Sequence, residues 1–238
     1  MAARTKAQTH AQDFSTPMKD QSEATKANPP AHELTYRALR DMVLFGELAP
    51  GQPVTIQGLV ASLGTGITPV REAIRRLTAE GALEAKGNRR IAVPVLDLGQ
   101  LDQLSFARAQ IEPHLAALAT AQMTKGLIDQ LTQIDTALNS AIQQGDIRGY
   151  LEHNHTFHSV LYDAADAQIL AGMAAGLWLR VGPSLRVVCG RIGTQNLPDM
   201  HDAALHEMRA GNPAGVAAAI AADIAQGHEH IRADLSAQ

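Results

Sequence analysis

Thr68-Pro69-Val70-Arg71-Glu72-Ala73-Ile74-Arg75-Arg76-Leu77, followed by Glu80-Gly81, is the stretch whose reading decides the fold. Val70, Ala73, Ile74 and Leu77 recur at three- and four-residue spacing, which is one apolar face of a helix, and Arg71, Arg75 and Arg76 are left around the other side. Thr68 before Pro69 reads as a helix start, because a threonine oxygen caps an orphan amide and proline at the first helical position has no amide to lose. The spacing therefore predicts a short helix with a basic outer face.

Working outward, Ile56, Leu59, Val60 and Leu63 predict a helix just upstream, separated by Gly64-Thr65-Gly66. Two short helices across a glycine turn form a helix-turn-helix, whose second helix fits a major groove about 12 Å wide. Leu34, Ala38, Met42 and Phe45 supply an earlier helix that ends at Gly46 and the Pro50-Gly51 turn. Ala82 to Lys86 and Ile91 to Val95 read as two strands around Gly87-Asn88-Arg89-Arg90, a hairpin wing. Residues 1–30 read as a disordered leader, 31–95 as a winged helix-turn-helix domain and 96–99 as a linker. Residues 100–238 read as an all-α antiparallel bundle of six helices, with Pro183 expected to kink or split the fourth. The fold class expected is mainly α.

The 238 residues carry a net charge of −4, which hides an asymmetry. Residues 98 to 238 hold 8 Lys/Arg against 14 Asp/Glu, net −6, whereas Thr68 to Arg90 hold six basic residues against three acids. A basic patch in an acidic chain points to one segment that meets an anionic polymer. One cysteine, Cys189, excludes an intramolecular disulfide and any Cys-rich metal site, so a metal here must use His, Asp, Glu or Asn. No apolar run reaches the ~18–20 residues that span a bilayer, and MAARTKAQTH lacks the apolar stretch of a secretory signal. A cytoplasmic protein with no membrane partner is expected.

These residues resemble the GntR family of bacterial transcription regulators, in the FadR-type branch with an all-helical FCD effector domain. The likeness runs from Leu34 to Leu235. It is carried by Gly46-Glu47-Leu48-Ala49-Pro50-Gly51 and by the Thr68–Gly81 segment, and less specifically by Arg108 with Glu112, Phe157-His158, and His201 with Asp223. It implies a homodimer on a two-fold, pseudo-palindromic DNA operator. Thr68 and Arg71 would touch DNA, Arg75 or Arg76 would lie nearer the backbone, and Arg89 and Arg90 would contribute from the wing. Where the family usually has Ser-Arg before Thr-Pro, this chain has Gly66-Ile67, which implies a shifted operator preference. Arg71→Ala should relax base preference, and Arg76→Ala should weaken binding to all sequences and flatten its salt dependence.

Eight of ten histidines lie beyond residue 98, and Asn154 and His158 are four apart on one helix face. The FCD resemblance places a divalent-ion site on Asn154, His158, His201 and Asp223, where many relatives have Asp in place of Asn154 and His in place of Asp223. Such a donor set suits Zn²⁺, Ni²⁺ or Mn²⁺. The alternative is that His158 and His201 are hydrogen-bonded core residues with no ion. His153, His155 and His206 fall off the pattern and read as surface or supporting groups. Arg108 matches the family's pocket arginine, which holds the carboxylate of a small organic-acid effector, and Arg180 and Arg186 are further effector candidates. Their alternatives are an Arg108–Glu112 pair at i,i+4 and ordinary surface arginines. A second function class is a metal-dependent helical enzyme acting on a small carboxylate or phosphate ester through His158, His201 and Asp223. No phosphate loop, nucleophile elbow or His-Glu-x-x-His run accompanies it.

Overall fold

The computed structural model describes residues 29–87, 90–193 and 200–237. The first part holds α1 (Ala31–Leu44), β1 (Pro53–Val54), α2 (Ile56–Leu63), α3 (Ile67–Ala79), β2 (Glu84–Lys86) and β3 (Arg90–Ala92). The second is helical: α4 (Leu98–Thr120), α5 (Lys125–Gln144), α6 (Ile147–Asp163), α7 (Gln168–Ile192), α8 (Met200–Arg209) and α9 (Pro213–Ser236). Of the leader, residues 1–28 lie outside the described residues, as do Arg89 in the wing and 196–199 at the start of the fifth expected bundle helix.

The helices begin and end where local chemistry satisfies their free backbone groups. Thr55 caps α2 by accepting from Gly58 N at 3.0 Å, and Asp97 and Gln100 form a reciprocal capping box at the start of α4. The helix α3 starts two residues earlier than a Thr68 cap implies. Extended Gly66 is its N-cap, and Thr68-Pro69 sit inside the first turn, where the missing proline N–H has no intrahelical acceptor to lose. The wing has a third strand: Pro53 and Val54 pair with Ala92 and Ile91, giving the antiparallel order β1-β3-β2. Pro183 does not split α7, which runs through it as one helix. Proline removes a single i→i−4 bond there, and its neighbours Val181, Gly182 and Ser184 are buried on both sides.

Leu39, Val43, Val70, Leu77, Leu83 and Val93 make the core of the first domain, and Trp178 and Leu179 of α7 complete it. The bundle core gathers Leu115, Leu131, Phe157, Leu161, Leu205 and Ile220, with α4 lying along α9 and α5 along α6. A third cluster of Leu96, Leu101, Leu104, Val181, Val188 and Ile231 joins the linker to the bundle. The helix α7 therefore packs into both domains.

Candidate DNA interface and candidate metal and effector site

The outer face of α3 presents Ile67, Thr68, Arg71, Glu72 and Arg75 to solvent, while Val70, Ala73, Ile74 and Leu77 are buried beneath. Among the described residues Arg71 has no ion-pair partner. Arg75 is paired with Glu72 through Nε and Nη2 at 3.1 and 2.5 Å, a solvated bond that a phosphate oxygen can replace. Arg90 opens β3 and is exposed. Arg76, half exposed, has partners within the domain: Nη1 lies 3.0 Å from Glu33, Nε 3.2 Å from Glu80, and the guanidinium stands 3.5 Å over the Tyr36 ring. Tyr36 in turn donates to Glu80. Arg76 thus ties α1 to α3, so Arg76→Ala should lower the melting temperature of the DNA-reading domain and leave the salt slope of binding unchanged.

In the bundle, His158 and His201 are buried and Asp223 is partly buried, with one donor atom of each within 4.8 Å of the others. Helix α6 places Asn154 and His158 one turn apart, α8 supplies His201 and α9 supplies Asp223. The hydrogen bonds behind these groups fix where the protons are. Glu112 Oε2 accepts from Tyr162 Oη at 2.7 Å and from Trp178 Nε1 at 3.0 Å, and Arg108 donates to both Glu112 oxygens. Tyr162 has spent its only proton on Glu112, so its oxygen accepts from His158 Nδ1 at 2.9 Å. Burial pushes the His158 imidazole below its ordinary pKa, against the opposing pull of Asp223, and so favours a neutral ring with one proton. That proton is on Nδ1.

His158 Nε2 is then bare, and it faces Asp223 Oδ2 at 3.1 Å and His201 Nε2 at 3.3 Å. His201 turns Nδ1 toward Asp135 Oδ1, 3.3 Å away but off the line of a hydrogen bond, and stacks on Phe157 with centroids 4.0 Å apart. The two Nε2 atoms stand at hydrogen-bond distance, so in the metal-free cluster one proton lies between them. Three possible ligand atoms, His158 Nε2, His201 Nε2 and Asp223 Oδ2, therefore converge in one place. The arrangement suits a cation, and the outward bond from His158 Nδ1 to Tyr162 is the kind that orients an imidazole ligand.

Beside this cluster lies a cavity of about 40 Å³ with Arg108, Asn154, Asp223, Tyr150 and Gln226 among its walls. It has room for a few water-sized groups. Arg108 reaches it already paired with Glu112 and lying 4.4 Å from the Trp178 ring centre. Arg180 and Arg186 do not line it. The spacing of α7 turns both toward the first domain, where Arg180 lies against Gly81 and Arg186 against Gly46. His155 is not a surface group either: it stands edge-on between Phe45 of the first domain and Trp178, and burial holds its pKa down to about 4.

Comparison with known proteins bears on both halves. Residues 32–93 match the model of bacterial regulatory proteins of the gntR family, and residues 103–226 match the FCD domain. The HTH-type transcriptional regulator McbR of Escherichia coli K12 is 31% identical over 159 residues, 67% of this chain and 72% of that protein. The chain belongs to the GntR family. The HTH-type transcriptional repressor RspR of the same organism is 29% identical over 147 residues, 61% of this chain and 64% of that protein. The solved structure of E. coli McbR/YncC superposes with a TM-score of 0.82 at 26% identity, covering 87% of this chain and 99% of that one. A GntR regulator from Rhodococcus sp. RHA1 shares the fold with a TM-score of 0.69 at 17% identity.

The matched families and named relatives of this GntR-family chain are transcription regulators, which removes the enzyme alternative. DNA binding by the winged domain and the FCD architecture follow from the family, and among the described residues no helix is long and apolar enough to cross a membrane. Among the site groups, Glu112, Tyr162, Trp178 and Asp135 escaped sequence reasoning as a network. Tyr162 stands four residues after His158, so that pair was within reach of helical spacing, whereas the bonds from Tyr162 and Trp178 to Glu112 cross 50 and 66 residues. Arg108 with Glu112 was legible because it repeats at i,i+4.

Proposed function

We propose that this GntR-family regulator is a cytoplasmic repressor that binds a pseudo-palindromic operator as a homodimer and is controlled by a small organic acid held beside a divalent ion. The observation that carries the ion is the convergence of His158 Nε2, His201 Nε2 and Asp223 Oδ2, which a divalent ion would bridge in place of a shared proton. Asn154, buried one turn before His158 and lining the same cavity as Asp223, would add its amide oxygen. Zn²⁺, Ni²⁺ and Mn²⁺ all accept two imidazoles with oxygen donors, and an ion so held offers an open position to a carboxylate. With Arg108 already paired, the ion supplies most of the charge that binds the acid.

The dimer reading draws on Phe106, Ile169 and Met173, large apolar side chains that are 70%, 82% and 52% exposed on the mutually packed helices α4 and α7. A second copy placed across that face gives the two-fold pair of reading heads that a palindromic operator needs. The repressor reading leans on RspR, which is named a repressor.

Titration calorimetry of a panel of short organic acids into chelator-stripped and Zn²⁺-loaded protein tests the effector site. An acid should bind at least tenfold tighter to the loaded form and change operator affinity in gel shifts, a coupling in the range of about 1–3 kcal/mol. Equal affinity in both forms would overturn ion-assisted binding. At the DNA, Arg71→Ala should cost about 1–3 kcal/mol of operator affinity and relax discrimination at one base position, read from binding to a set of single-base operator variants.

A further inference from the structure

The seam between α7 and the DNA-reading domain is made at glycines. Gly182, in the middle of α7, meets the C-terminal end of α1 so closely that a Cβ there would lie 2.1 Å from the Leu44 carbonyl oxygen. Gly46, just past α1 in the left-handed conformation (φ +67), lies on the stem of Arg186, where a Cβ would be 2.4 Å from Arg186 Cβ. Gly81, left-handed at φ +74 just past α3, lies under the guanidinium of Arg180, whose Nε would be 3.0 Å from a Cβ. Two helix ends of the reading domain, one of them the end of the recognition helix, therefore rest on neighbouring turns of α7.

Each contact has a physical reason. The last carbonyls of a helix lack intrahelical donors, so Leu44 O can be set directly on a glycine Cα. The C-terminal end of a helix carries a partial negative charge, which a guanidinium at Gly81 opposes. An ion pair also joins α6 to the reading domain, with Arg148 bonded to Glu47 just after α1. The other side of α7 walls the cavity through Trp178, Val181, Leu185 and Val188. Pro183, which removes one backbone bond at the level of the seat, is where this rod bends with least resistance.

We propose that Arg180, Gly182 and Arg186 form a seat that positions the recognition helix, and that α7 carries the state of the cavity to it. The second half rests on the ion reading given above. Arg180 and Arg186 are positioning residues for DNA binding, which explains why they stand outside the cavity.

The test uses the full chain, a duplex selected from a random pool with the unaltered protein, and Zn²⁺ alone as ligand. Gly182→Ala should weaken operator binding about tenfold and bring the ratio of operator affinities with and without Zn²⁺ to one. Its Zn²⁺ affinity should stay unchanged. Alanine is the better helix former, so α7 itself is not at risk. Arg180→Gln should weaken binding about threefold while the slope of log affinity against log salt stays constant, and Arg180→Lys should restore it. A Gly182→Ala protein that binds the operator and responds to Zn²⁺ like the parent would overturn the proposal, as would a flattened salt slope in Arg180→Gln, which marks a phosphate contact. If the parent takes up Zn²⁺ but its operator affinity does not respond, the relay falls and the seat stands or falls on the two weakened affinities. If the parent takes up no Zn²⁺, the ion reading and the relay fall together.

Discussion

Glu112→Ala is expected to remove about 3–5 kcal/mol of stability, the cost of stripping one partner from a buried ion pair. Glu112 is fully buried and accepts from Arg108 Nε at 2.5 Å, Arg108 Nη2 at 3.2 Å, Tyr162 Oη at 2.7 Å and Trp178 Nε1 at 3.0 Å. Alanine would leave a buried guanidinium without its hydrogen-bonded carboxylate and with only the more distant charge of Asp223, in a position where Glu112 now holds its pKa above the ordinary value despite burial. It would also orphan a phenol and an indole donor, each worth about 1–3 kcal/mol when left unsatisfied. At about 2–4 °C per kcal/mol for a chain of this size, thermal unfolding should shift down by about 10 °C. Glu112→Gln keeps the shape but loses the charge and turns one acceptor into a donor, so it should fall between the two. A Glu112→Ala protein melting within about 2 °C of the parent, below 1 kcal/mol, would show that water or a rearranged Arg108 replaces the carboxylate. Tyr162→Phe separates the parts, since it spares the ion pair but frees His158 Nδ1.

The same residues show what a sequence can and cannot disclose. The recognition helix was legible because burial of Val70, Ala73, Ile74 and Leu77 follows helical period, and the period leaves no choice about where Arg71 and Arg75 point. Arg76 lies on that same outer face, and spacing could not reveal that Glu33, 43 residues away, and the Tyr36 ring engage its guanidinium. The bundle was legible as helices, with Asn154 and His158 on one face, and the resemblance brought His201 and Asp223 to them. The direction of Arg180 and Arg186 was not legible, because α7 is apolar on more than one side and its period does not tell a cavity wall from a domain seam. The strand β1 escaped because it is two residues long and begins with proline, a residue confined to strand ends and edges. His155 looked peripheral since its partners, Phe45 and Trp178, belong to elements that meet only through the tertiary fold.

Removing metal is the second large effect expected. A ligand that binds only the folded chain stabilises it by about 2.7 kcal/mol at a hundred times its dissociation constant and about 4.1 kcal/mol at a thousand times. Protein stripped with chelator should therefore melt about 5–16 °C lower than the same protein with excess Zn²⁺, and adding Zn²⁺ back in excess should restore it. His201→Ala is the sharper variant of the two imidazole ligands: it deletes one donor and a stack on Phe157 while leaving the Glu112–Tyr162–His158 chain whole. That protein should lose the Zn²⁺-dependent part of its melting temperature, whereas His158→Ala would also leave Tyr162 without a donor. Asn154→Asp adds a charge beside the same lone pairs and should tighten Zn²⁺ binding in calorimetry, provided the amide oxygen is a ligand. The alternative state of the cluster is a proton shared among His158, His201 and Asp223, and it makes opposite forecasts. In that state chelator and Zn²⁺ would leave melting unchanged, Asn154→Asp would bring no gain, and elemental analysis of chelator-free protein would find no bound metal. The two accounts differ in every one of these measurements because one supplies the missing positive charge from a metal and the other from solvent protons.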